Sequence, residues 1–376
     1  MTSLLHLGEP APWFHAAALD GNPRYAFDTV AGRYVLLLLA GSTRAVAARD
    51  ALQLIEANRG LFDDDNAAFF GVTVDPTDAE QARVAQRLPG IRWFLDYDRA
   101  VSQKFGAIET IRGEDVYRPH WLLLDPMLRV KCRAEMTHGR MIMETLRNVV
   151  AAANQSPASN APVLVLPRVI EPEMCRHLIA LYEQHGGEES GFMREENGRT
   201  VTKLDHAHKR RSDYIIEDAN LVKALKLRMA RVMNPMLQRA FQFDATRIER
   251  FIVACYDGSS GGHFRAHRDN TTKGTAHRKF ACTINLNAEE YEGGDLQFPE
   301  FGPRTYRAPT GGAVLFSCSL LHQANPVTKG RRYAFLPFLY DDEGARIRER
   351  NLAFVEPRLQ DYRSGLGGRE DAEPNI

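Results

Sequence analysis

The sequence predicts an α/β domain followed by an α+β domain with a jelly-roll core, and three observations support this. The chain has 376 residues, which is more than one ordinary domain. Up to about residue 152, short apolar runs alternate with helical patterns, as in an α/β sheet domain. Across residues 248–340, strand-like runs are separated by Gly, Asn and Pro turns, as in an all-β jelly roll.

Between the two parts, the stretch "AANQSPASNAP" is small, polar and proline-bearing, which is typical of a linker. We therefore expect one domain at residues 1–152 and a second at residues 163–376, joined by a linker at 153–162.

The composition restricts the classes of partner. Lys+Arg and Asp+Glu number 48 each, so no overall charge favours nucleic acid or an anionic membrane surface. The five cysteines are scattered and include no Cys-x-x-Cys, which is typical of reduced thiols in a cytoplasmic protein. The first residues lack a signal-peptide pattern, and the longest apolar run, "YVLLLLA", is too short to span a bilayer. We expect a cytoplasmic protein with neither a nucleic-acid nor a membrane partner.

In the N-terminal domain, continuous apolar runs predict buried strands and amphipathic stretches predict helices. The strands are expected at residues 35–40, 68–74 and 121–124, and the helices at residues 46–58, 77–88 and 139–153. Because these elements alternate, we expect helices packed on a sheet.

Four segments in this domain, "GEPAPWF", "FFGVTVD", "WFLDYD" and "RPHWLLLDPMLRV", resemble the thioredoxin-fold domain of peroxiredoxins. That family places a peroxidatic cysteine at the start of the helix after the first core strand, where this chain reads "AGSTRAVAARD". No cysteine precedes Cys132, and a thiol peroxidase needs a thiolate nucleophile. We expect a docking module without peroxidase activity, or a module that joins two copies of the chain as a homodimer. Arg118 is either a relic of the family's active-site arginine or an ordinary structural residue.

The C-terminal domain opens with a short strand and a helix that begins near Pro172. Residues 190–212 are highly charged and lack periodicity, which predicts a loop and a candidate lid. A long amphipathic helix is expected at residues 220–241, and the polar tail after Pro357 is expected to be poorly ordered.

Three residues of this domain suit one metal chemistry. Two histidines and one carboxylate on one face of a metal leave three positions open, as a non-haem Fe(II) site needs to bind a cosubstrate and dioxygen. Residues two apart in a strand point the same way, so "FRAHRDN" presents His267 and Asp269 side by side. His322, in "SLLHQANPV" after an apolar run, is the expected third ligand.

The pair alone is weak evidence, since about 1.5 pairs of His-x-acid (Asp or Glu) are expected by chance in this composition. The ordered series is more specific: Tyr256, the pair, the hairpin "YEGGDLQF", the strand "APTGGAVLFS", His322 and "PVTKGRR". This series resembles the iron- and 2-oxoglutarate-dependent dioxygenases of the prolyl 4-hydroxylase-like group.

The resemblance implies a double-stranded β-helix in which His267, Asp269 and His322 bind Fe(II). It further implies that Arg332, ten residues after His322, binds the distal carboxylate of 2-oxoglutarate, and that Tyr256 hydrogen-bonds the same cosubstrate. Ascorbate is a further candidate cofactor. The implied substrate is an amino acid, a peptide or another small molecule, with a prolyl group as one candidate. Since Asp269 fills the third ligand position, hydroxylation is favoured over halogenation.

Several alternatives remain open at this level. Successive strand residues face opposite sides, so only one of Arg331 and Arg332 can point inward, and periodicity does not choose between them. His206 and His208 form a rival ligand pair, although they lie in a polar run typical of a solvated loop.

Arg210, Arg211 and His263 are candidate substrate contacts, His263 at the rim of the site. A rival function of a different class is a non-catalytic docking protein with a cupin-like shell.

Overall fold

The computed structural model describes residues 4–153 and 159–356, and they form two compact units. Unit 1 extends to Ser159 and includes Pro299–Gly302, and unit 2 contains Asn160–Phe298 and the residues from Pro303 onward. Half of the predicted linker, residues 154–158, and the predicted disordered tail, residues 357–376, lie outside the described residues. In the part of the chain that is described, no helix combines the length and the apolar character needed to cross a bilayer.

Unit 1 is an α/β unit built on a mixed seven-stranded sheet. Its strands are β1 (His15–Ala18), β2 (Tyr25–Ala26), β3 (Tyr34–Gly41), β4 (Ala67–Thr73), β5 (Ile91–Leu95), β6 (Ile108–Ile111), β7 (Glu114–Tyr117), β8 (His120–Leu124) and β9 (Val130–Glu135). Its helices are α1 (Val46–Ala57), α2 (Pro76–Glu80), α3 (Ala100–Lys104) and α4 (Gly139–Ala153). The strand order is β2-β1-β5-β4-β3-β8-β9, in which β3, β4 and β5 are parallel and β6–β7 forms a separate hairpin.

The apolar runs of unit 1 form strands because both faces of the sheet are covered. Leu36 and Leu38 of β3 pack in one cluster with Ile55 of α1 and Leu146 of α4. The opposite face carries stacked and edge-on phenylalanines, such as Phe70 against Phe94 at 5.2 Å between ring centroids. Strand runs that are apolar throughout are typical of sheets buried on both faces. The predicted strands and the helices at 46–58 and 139–153 are confirmed to within one residue.

The predicted helix at residues 77–88 is wrong beyond Glu80, where α2 ends. The backbone N–H groups of Arg83 and Val84 both donate to the Asp78 carbonyl, and Ala82 has a φ of 50°, so the chain turns out of the helix. The buried Asp78 carboxylate also accepts from Thr43, which is 35 residues earlier in the sequence. A contact this distant in sequence has no local pattern.

Unit 2 is an α+β unit whose described residues form two larger antiparallel sheets and two two-stranded ones. Its strands are β10 (Leu164–Leu166), β11 (Glu188–Glu189), β12 (Phe192–Glu196), β13 (Arg199–Lys203), β14 (Lys209–Arg210), β15 (Ser212–Ile215), β16 (Arg247–Glu249), β17 (Ile252–Asp257), β18 (His263–His267), β19 (Phe280–Asn285), β20 (Glu292–Gly293), β21 (Leu296–Gln297), β22 (Thr305–Tyr306), β23 (Ala313–Ser317), β24 (His322–Ala324), β25 (Val327–Lys329), β26 (Arg331–Phe335) and β27 (Phe338–Tyr340). Its helices are α5 (Pro172–His185), α6 (Ala219–Arg228), α7 (Asn234–Phe241) and α8 (Asp342–Asn351).

The large sheet contains β10-β23-β19-β26-β17-β15-β11 in that order, with β16 and β27 joined to it, and the small sheet is β14-β18-β24-β21-β22. The two-stranded sheets are β12–β13 and β20–β25. Alternating residues of β17 decide what covers each face of the large sheet. Val253 packs in the cluster that contains the α5, α6 and α7 side chains, whereas Ala254 packs with Phe264 and Ala324 of the small sheet. The large sheet therefore lies between a helical layer and the small sheet.

The predicted loop at residues 190–212 is wrong, because most of this segment forms strands. β12 and β13 pair from Phe192↔Lys203 to Glu196↔Arg199. The turn between them is Asn197-Gly198, with φ values of 50° and 77°. Positive φ at both turn residues is typical of the tight hairpin turns that Asn-Gly favours. We refer to β12 and β13 below as the hairpin.

The predicted helix at residues 220–241 is confirmed as a helical stretch, but it is not regular throughout. A π-helical turn, Met229–Met233, separates α6 from α7. Pro235 follows it, and proline cannot donate the regular bond to the carbonyl four residues earlier. A wider turn accommodates this missing donor.

Candidate metal centre

The three predicted metal ligands meet at one end of the small sheet. His267, the last residue of β18, pairs directly with His322, the first residue of β24. Asp269 lies just beyond β18, where its backbone N–H donates to the Cys318 carbonyl at 3.0 Å. Each residue can offer one ligand atom such that all three atoms lie within 4.8 Å of one another.

Backbone hydrogen bonds orient both imidazoles. The Nδ1 atoms lie 2.7 Å from the Arg265 carbonyl in His267 and 3.0 Å from the Leu320 carbonyl in His322. A ring that donates from Nδ1 keeps the lone pair of Nε2 for a metal. The two Nε2 atoms lie 3.5 Å and 3.3 Å from the Asp269 carboxylate, so all three candidate ligand atoms face the same point.

The electrostatics hold two of the three candidate ligands, His267 and Asp269, in the forms that bind metal. Burial, with His322 nearby, lowers the pKa of His267 to about 4, so the ring is neutral at neutral pH. Burial alone would raise the pKa of Asp269, but the two imidazoles hold it well below its usual range. Neutral imidazole and ionised carboxylate are the protonation states that metal binding requires.

Aromatic rings enclose this end of the site. The Phe264 ring stacks on His267, with 3.5 Å between ring centroids. The Phe316 ring lies 4.5 Å from His322, with Phe298 behind it at 6.3 Å. These rings limit the approach of water from one side and leave the side of Asp269 more polar.

A buried ionic group supports the Asp269 segment from below. Arg278 donates to both oxygens of Glu249, at 2.9 Å and 2.6 Å, and His277 Nε2 lies 2.7 Å from the same carboxylate. Arg278 Nη1 also donates to the Asp269 carbonyl at 3.5 Å. A buried two-pronged pair of this kind is geometrically specific, so it fixes the position of the ligand segment.

A separate polar group surrounds Arg332 on β26. Arg332 is buried, with 2% of its surface exposed, and its Nε and Nη1 atoms have no hydrogen-bond partner. Its guanidinium lies 5.0 Å from the ring of Tyr256, the residue paired with it on β17, and it is hydrogen-bonded to the buried Tyr291. Burial raises the pKa of Tyr291, and the adjacent Arg332 opposes that rise.

Arg331 lies on the opposite side of β26, with 53% of its side chain exposed and ion pairs to Glu183 and Asp257. The structure thus resolves the choice between the neighbouring arginines in terms of position: Arg332 lies inside and Arg331 outside. A buried guanidinium with unpaired donors suits a carboxylate, because unpaired buried polar groups are costly. The role of Arg332 in cosubstrate binding stays a prediction.

The candidate substrate arginines separate in the same way. Arg211 is buried, donates to the Tyr256 hydroxyl at 3.4 Å, and pairs with Asp213 at 2.6 Å. Arg210 is exposed and donates to the Ser260 carbonyl at 2.8 Å. His263 bonds the backbone carbonyls of Gly261 and Ala207 through its two ring nitrogens. Of these three, the structure brings only Arg211 to Tyr256.

The rival pair His206 and His208 does not form a site. His206 pairs with Glu189, and His208 packs against Phe192 and Phe264. Burial lowers the pKa of His208. Among residues 4–153 and 159–356, the group at His267, Asp269 and His322 is the one arrangement of three or more such side chains that could hold a metal.

Sequence reasoning missed three residues near this centre: Lys209, Asp213 and Tyr291. The Lys209 ammonium donates to Ser190 at 2.7 Å and lies 4.9 Å from the Phe264 ring, and burial lowers its pKa well below the usual range. For Lys209 and Asp213, the signal in the sequence is their spacing. Lys209, Arg211 and Asp213 occupy alternate positions, which lie on the same face of a strand. For Tyr291, the signal is the pair Gly293 and Gly294 that follows it, because such a pair indicates a close approach to other side chains. A Cβ added to Gly294 would come within 3.2 Å of Arg332 Cδ and 3.3 Å of Tyr291 Cε2.

The donor set fits a divalent iron ion and a dicarboxylate. Two nitrogens and one carboxylate oxygen on one side leave the other positions open for a cosubstrate and dioxygen. The unpaired donors of Arg332 supply a counter-charge for a second carboxylate within the same sheet-to-sheet interior. The arrangement is thus competent to bind an oxidising metal and an anionic cosubstrate together.

Comparison with known proteins agrees with this geometry. Residues 251–340 match the model of the 2OG-Fe(II) oxygenase superfamily. A PKHD-type hydroxylase of Pseudomonas fluorescens is 37% identical over 91 residues, which cover 22% of this chain and 39% of the relative. A PKHD-type hydroxylase of an Azoarcus species is 27% identical over 185 residues, which cover 47% of this chain and 80% of the relative. The chain therefore spans about two fifths of the first relative's length.

Some solved structures match part of the chain. A prolyl hydroxylase from Trichoplax adhaerens, solved with a hypoxia inducible factor peptide, is 17% identical with a TM-score of 0.38, and the match covers 56% of this chain and 96% of that one. The peroxidoxin BcpB of Mycobacterium tuberculosis is 16% identical with a TM-score of 0.33, and the match covers 39% of this chain and 98% of that one.

Proposed function

Because residues 251–340 form a 2OG-Fe(II) oxygenase domain, we propose that this chain is an Fe(II)- and 2-oxoglutarate-dependent hydroxylase. The observation that carries the proposal is the convergence of His267, Asp269 and His322 within 4.8 Å, with a neutral His267 and an ionised Asp269. Its substrate is an amino-acid or peptidyl group, with a prolyl group as one candidate, and its similarity to PKHD-type hydroxylases supports the reaction class.

In this proposal, the chain's own residues bind, orient and shield. His267, Asp269 and His322 hold the iron, which supplies the oxidising power when dioxygen and 2-oxoglutarate are bound. Arg332 would bind the distal carboxylate of 2-oxoglutarate through its free Nε and Nη1 donors, and Tyr256 and Tyr291 lie beside its guanidinium. The overall reaction converts a C–H bond, 2-oxoglutarate and dioxygen into a hydroxylated product, succinate and carbon dioxide.

Two finer statements about the fold belong to the same proposal. Unit 2 is a double-stranded β-helix, which the shared apolar cluster between the large and small sheets supports. Unit 1 is a thioredoxin-like module, which its mixed sheet with parallel β3, β4 and β5 supports. In this proposal, unit 1 acts in docking or dimerisation and not in thiol chemistry. Ascorbate serves as a reductant for the iron site of unit 2.

The test begins with metal-free protein that is reconstituted anaerobically with Fe(II) and 2-oxoglutarate. We expect a visible metal-to-ligand absorption, followed by succinate release when air is admitted. The matched control is the same protein given Fe(II) and succinate. If neither absorption nor succinate release appears, the proposal fails, and a non-catalytic docking role for unit 2 becomes the better interpretation.

A further inference from the structure

Tyr256 on β17 lies between two buried arginines of the large sheet. On one side it pairs directly with Arg332 of β26. On the other side is Arg211, which directly precedes Ser212 of β15, and Ser212 pairs with Cys255. The guanidiniums of Arg332 and Arg211 lie 5.0 Å and 5.8 Å from the centroid of the Tyr256 ring. The order of the strands thus brings one phenol between two cations.

The charges of the two arginines are balanced differently. Arg211 is 7% exposed, and its Nη2 donates to Asp213 Oδ2 at 2.6 Å. Burial alone would raise the pKa of Asp213, but Arg211 and Lys209 hold it below its usual value, so an ionised carboxylate balances the Arg211 guanidinium. Arg332 has no carboxylate partner in the part of the chain that is described, and two of its donors are unused. Arg332 is therefore suited to an incoming anion, whereas the charge of Arg211 is already matched.

The hydrogen bond from Arg211 fixes how the Tyr256 hydroxyl can be used. Arg211 Nη1 donates to that hydroxyl at 3.4 Å. A guanidinium only donates, so the hydroxyl oxygen accepts here and its single proton remains for another acceptor. Between residues 159 and 356, that proton has no acceptor. The Tyr256 side chain lies in the apolar cluster that also contacts Phe264, and Phe264 stacks on His267, so this interior adjoins the metal centre.

Arg211 is itself held in place from the side away from Tyr256. The backbone N–H of Ser190 donates to the Arg211 carbonyl at 2.9 Å, and the Ser190 hydroxyl donates to Asp213 at 2.5 Å. The Lys209 ammonium donates to the same hydroxyl at 2.7 Å. Hydrogen bonds that lock a supporting side chain also lock the group that it orients. The direction of the Tyr256 hydroxyl is thus set before a ligand arrives.

We propose that Arg211 is a positioning residue for cosubstrate binding: it holds the Tyr256 hydroxyl as an acceptor, so that the hydroxyl proton is donated to the 2-oxoglutarate bound at Arg332. This inference rests on the hydroxylase function proposed above. Arg211 then acts through Tyr256 and not as the substrate contact that the sequence suggests. Without Arg211, the hydroxyl proton turns among several directions, and part of its contribution to cosubstrate affinity is lost.

The experiment is an anaerobic titration of 2-oxoglutarate into protein loaded with Fe(II), with the dissociation constant read from the visible absorption. Tyr256→Phe removes only the hydroxyl, and we expect it to weaken binding at least about tenfold, because a hydrogen bond to a charged group is lost. Arg211→Lys keeps a positive charge beside Asp213 but replaces two separate nitrogen donors by one. We expect it to weaken binding about fivefold.

The decisive measurement is the variant that combines both changes. If Arg211 acts through the hydroxyl, Arg211→Lys should weaken binding by less than about twofold once Tyr256 is replaced by Phe. The Nε atom of Arg211 has no partner, so direct contact with the ligand is the competing arrangement, and the two effects would then multiply. Multiplied effects, or a wild-type dissociation constant in either single variant, overturn the inference.

Arg228→Lys provides the matched control. It makes the same substitution at an arginine of α6 whose Nε donates to Glu171 at 2.6 Å, and it is expected to keep the wild-type dissociation constant. Should Arg211→Lys fail to fold, as melting would reveal, Arg211→Met combined with Asp213→Asn takes its place in the same cycle. That pair of changes removes both buried charges together and leaves neither of them unpaired.

The failure of this inference is distinguishable from failure of the proposed function. If wild-type protein with Fe(II) shows no absorption when 2-oxoglutarate is added, and no succinate release in air, the hydroxylase proposal fails and this inference fails with it. If wild type shows both signals while the variants contradict the expected coupling, the hydroxylase proposal stands and only the role of Arg211 is lost.

Discussion

The metal centre of unit 2 and the start of α1 in unit 1 are both polar clusters next to buried strands, but their hydrogen bonding differs. At α1, both oxygens of Asp78 are used by Thr43, Thr73 and Arg83. At the metal centre, the Nε2 atoms of His267 and His322 converge on the Asp269 carboxylate, and Arg332 keeps two unpaired donors. The first cluster is complete without a ligand, and the second is not.

The pKa shifts alone do not separate these two regions. The pKa of Asp78 is lowered despite its burial, because hydroxyl and backbone donors from Thr43 and Thr73 stabilise the carboxylate. The pKa of Asp269 is also lowered despite its burial, but by two imidazoles that are themselves candidate metal ligands. The comparison teaches that unused binding capacity, and not a perturbed carboxylate, marks the functional site.

The largest expected effect is the loss of a metal ligand. His267→Ala, Asp269→Ala and His322→Ala each remove one of three protein ligands, so we expect succinate release and the anaerobic absorption to fall by more than about 100-fold, beyond the usual cost of losing a supporting residue. His177→Ala, at an exposed histidine of α5, is the control. Should any of the three ligand variants keep wild-type absorption, the ligand assignment is wrong.

A smaller effect is expected for the inner arginine. Arg332→Ala leaves a desolvated cosubstrate carboxylate without its partner, which by analogy with buried charge pairs costs about 2–5 kcal/mol and raises the required 2-oxoglutarate concentration about 30-fold or more. Arg331→Ala removes an exposed arginine on the same strand and is expected to change it little. A titration of 2-oxoglutarate against succinate in both variants measures this; a larger defect in Arg331→Ala would contradict the buried position as the binding one.

The polar cluster around Asp78 in unit 1 also includes Asp75, and it predicts that the stability of the fold depends on pH. Hydrogen bonds from Ser42 and Thr77 lower the pKa of Asp75 to about 2, against about 3.9 in an unfolded chain. The ionised form thus stabilises the fold above about pH 4, and this contribution is lost as the pH falls towards about 2. Asp75→Asn should cost about 1 kcal/mol at pH 7, because asparagine can still cap α2 but lacks the charge that the Ser42 and Thr77 hydrogen bonds stabilise.

The measurement is denaturant unfolding of wild type and Asp75→Asn at pH 7 and at about pH 2.5. We expect the difference between them to shrink at the lower pH. Asp50→Asn, at an exposed carboxylate of α1, provides the baseline. A difference that stays constant across this range would mean that the Asp75 charge does not contribute.

The smallest expected effect is none at all: unit 1 should not reduce hydroperoxides. The start of α1, where peroxiredoxins carry the peroxidatic cysteine, is occupied by Val46. Cys132 is the one cysteine of the chain before residue 175, and burial raises its pKa. A raised pKa keeps that thiol protonated and unreactive. Metal-free full-length protein with a thiol reductant should consume hydroperoxide at the rate of Cys132→Ser; enzymatic rates that the serine variant lacks would contradict this.

The sequence predicted the elements whose signals are local. The apolar strands of unit 1 and the helix α4 depend on patterns within a few residues, and their bounds agree with the structure. The hairpin is also encoded locally, by Asn197-Gly198, but the charged composition around it predicts a loop. The helix at residues 77–88 was overextended because its end depends on Asp78, whose carboxylate reaches Thr43.

The residues of the candidate site also divide into those with a local sequence signal and those without one. The spacing of His267, Asp269 and His322 was readable because each lies at or next to the end of a strand with a distinctive sequence. The burial of Arg332 was not readable from periodicity, since apolar residues follow it on both faces of β26. Asp213 comes near Tyr256 only because β15 pairs with β17, which is a long-range fact of the sheet.

The direct pairing of His267 with His322 across β18 and β24 has a consequence for how the site can vary. Both imidazoles take their direction from strand register, and a shift of one residue turns a side chain to the other face. Substitutions around the ligands change the environment of the centre, whereas a single-residue insertion or deletion inside either strand removes a ligand outright. In a library of such variants, we therefore expect insertions and deletions within β18 or β24 to abolish activity more uniformly than amino-acid replacements beside the histidines.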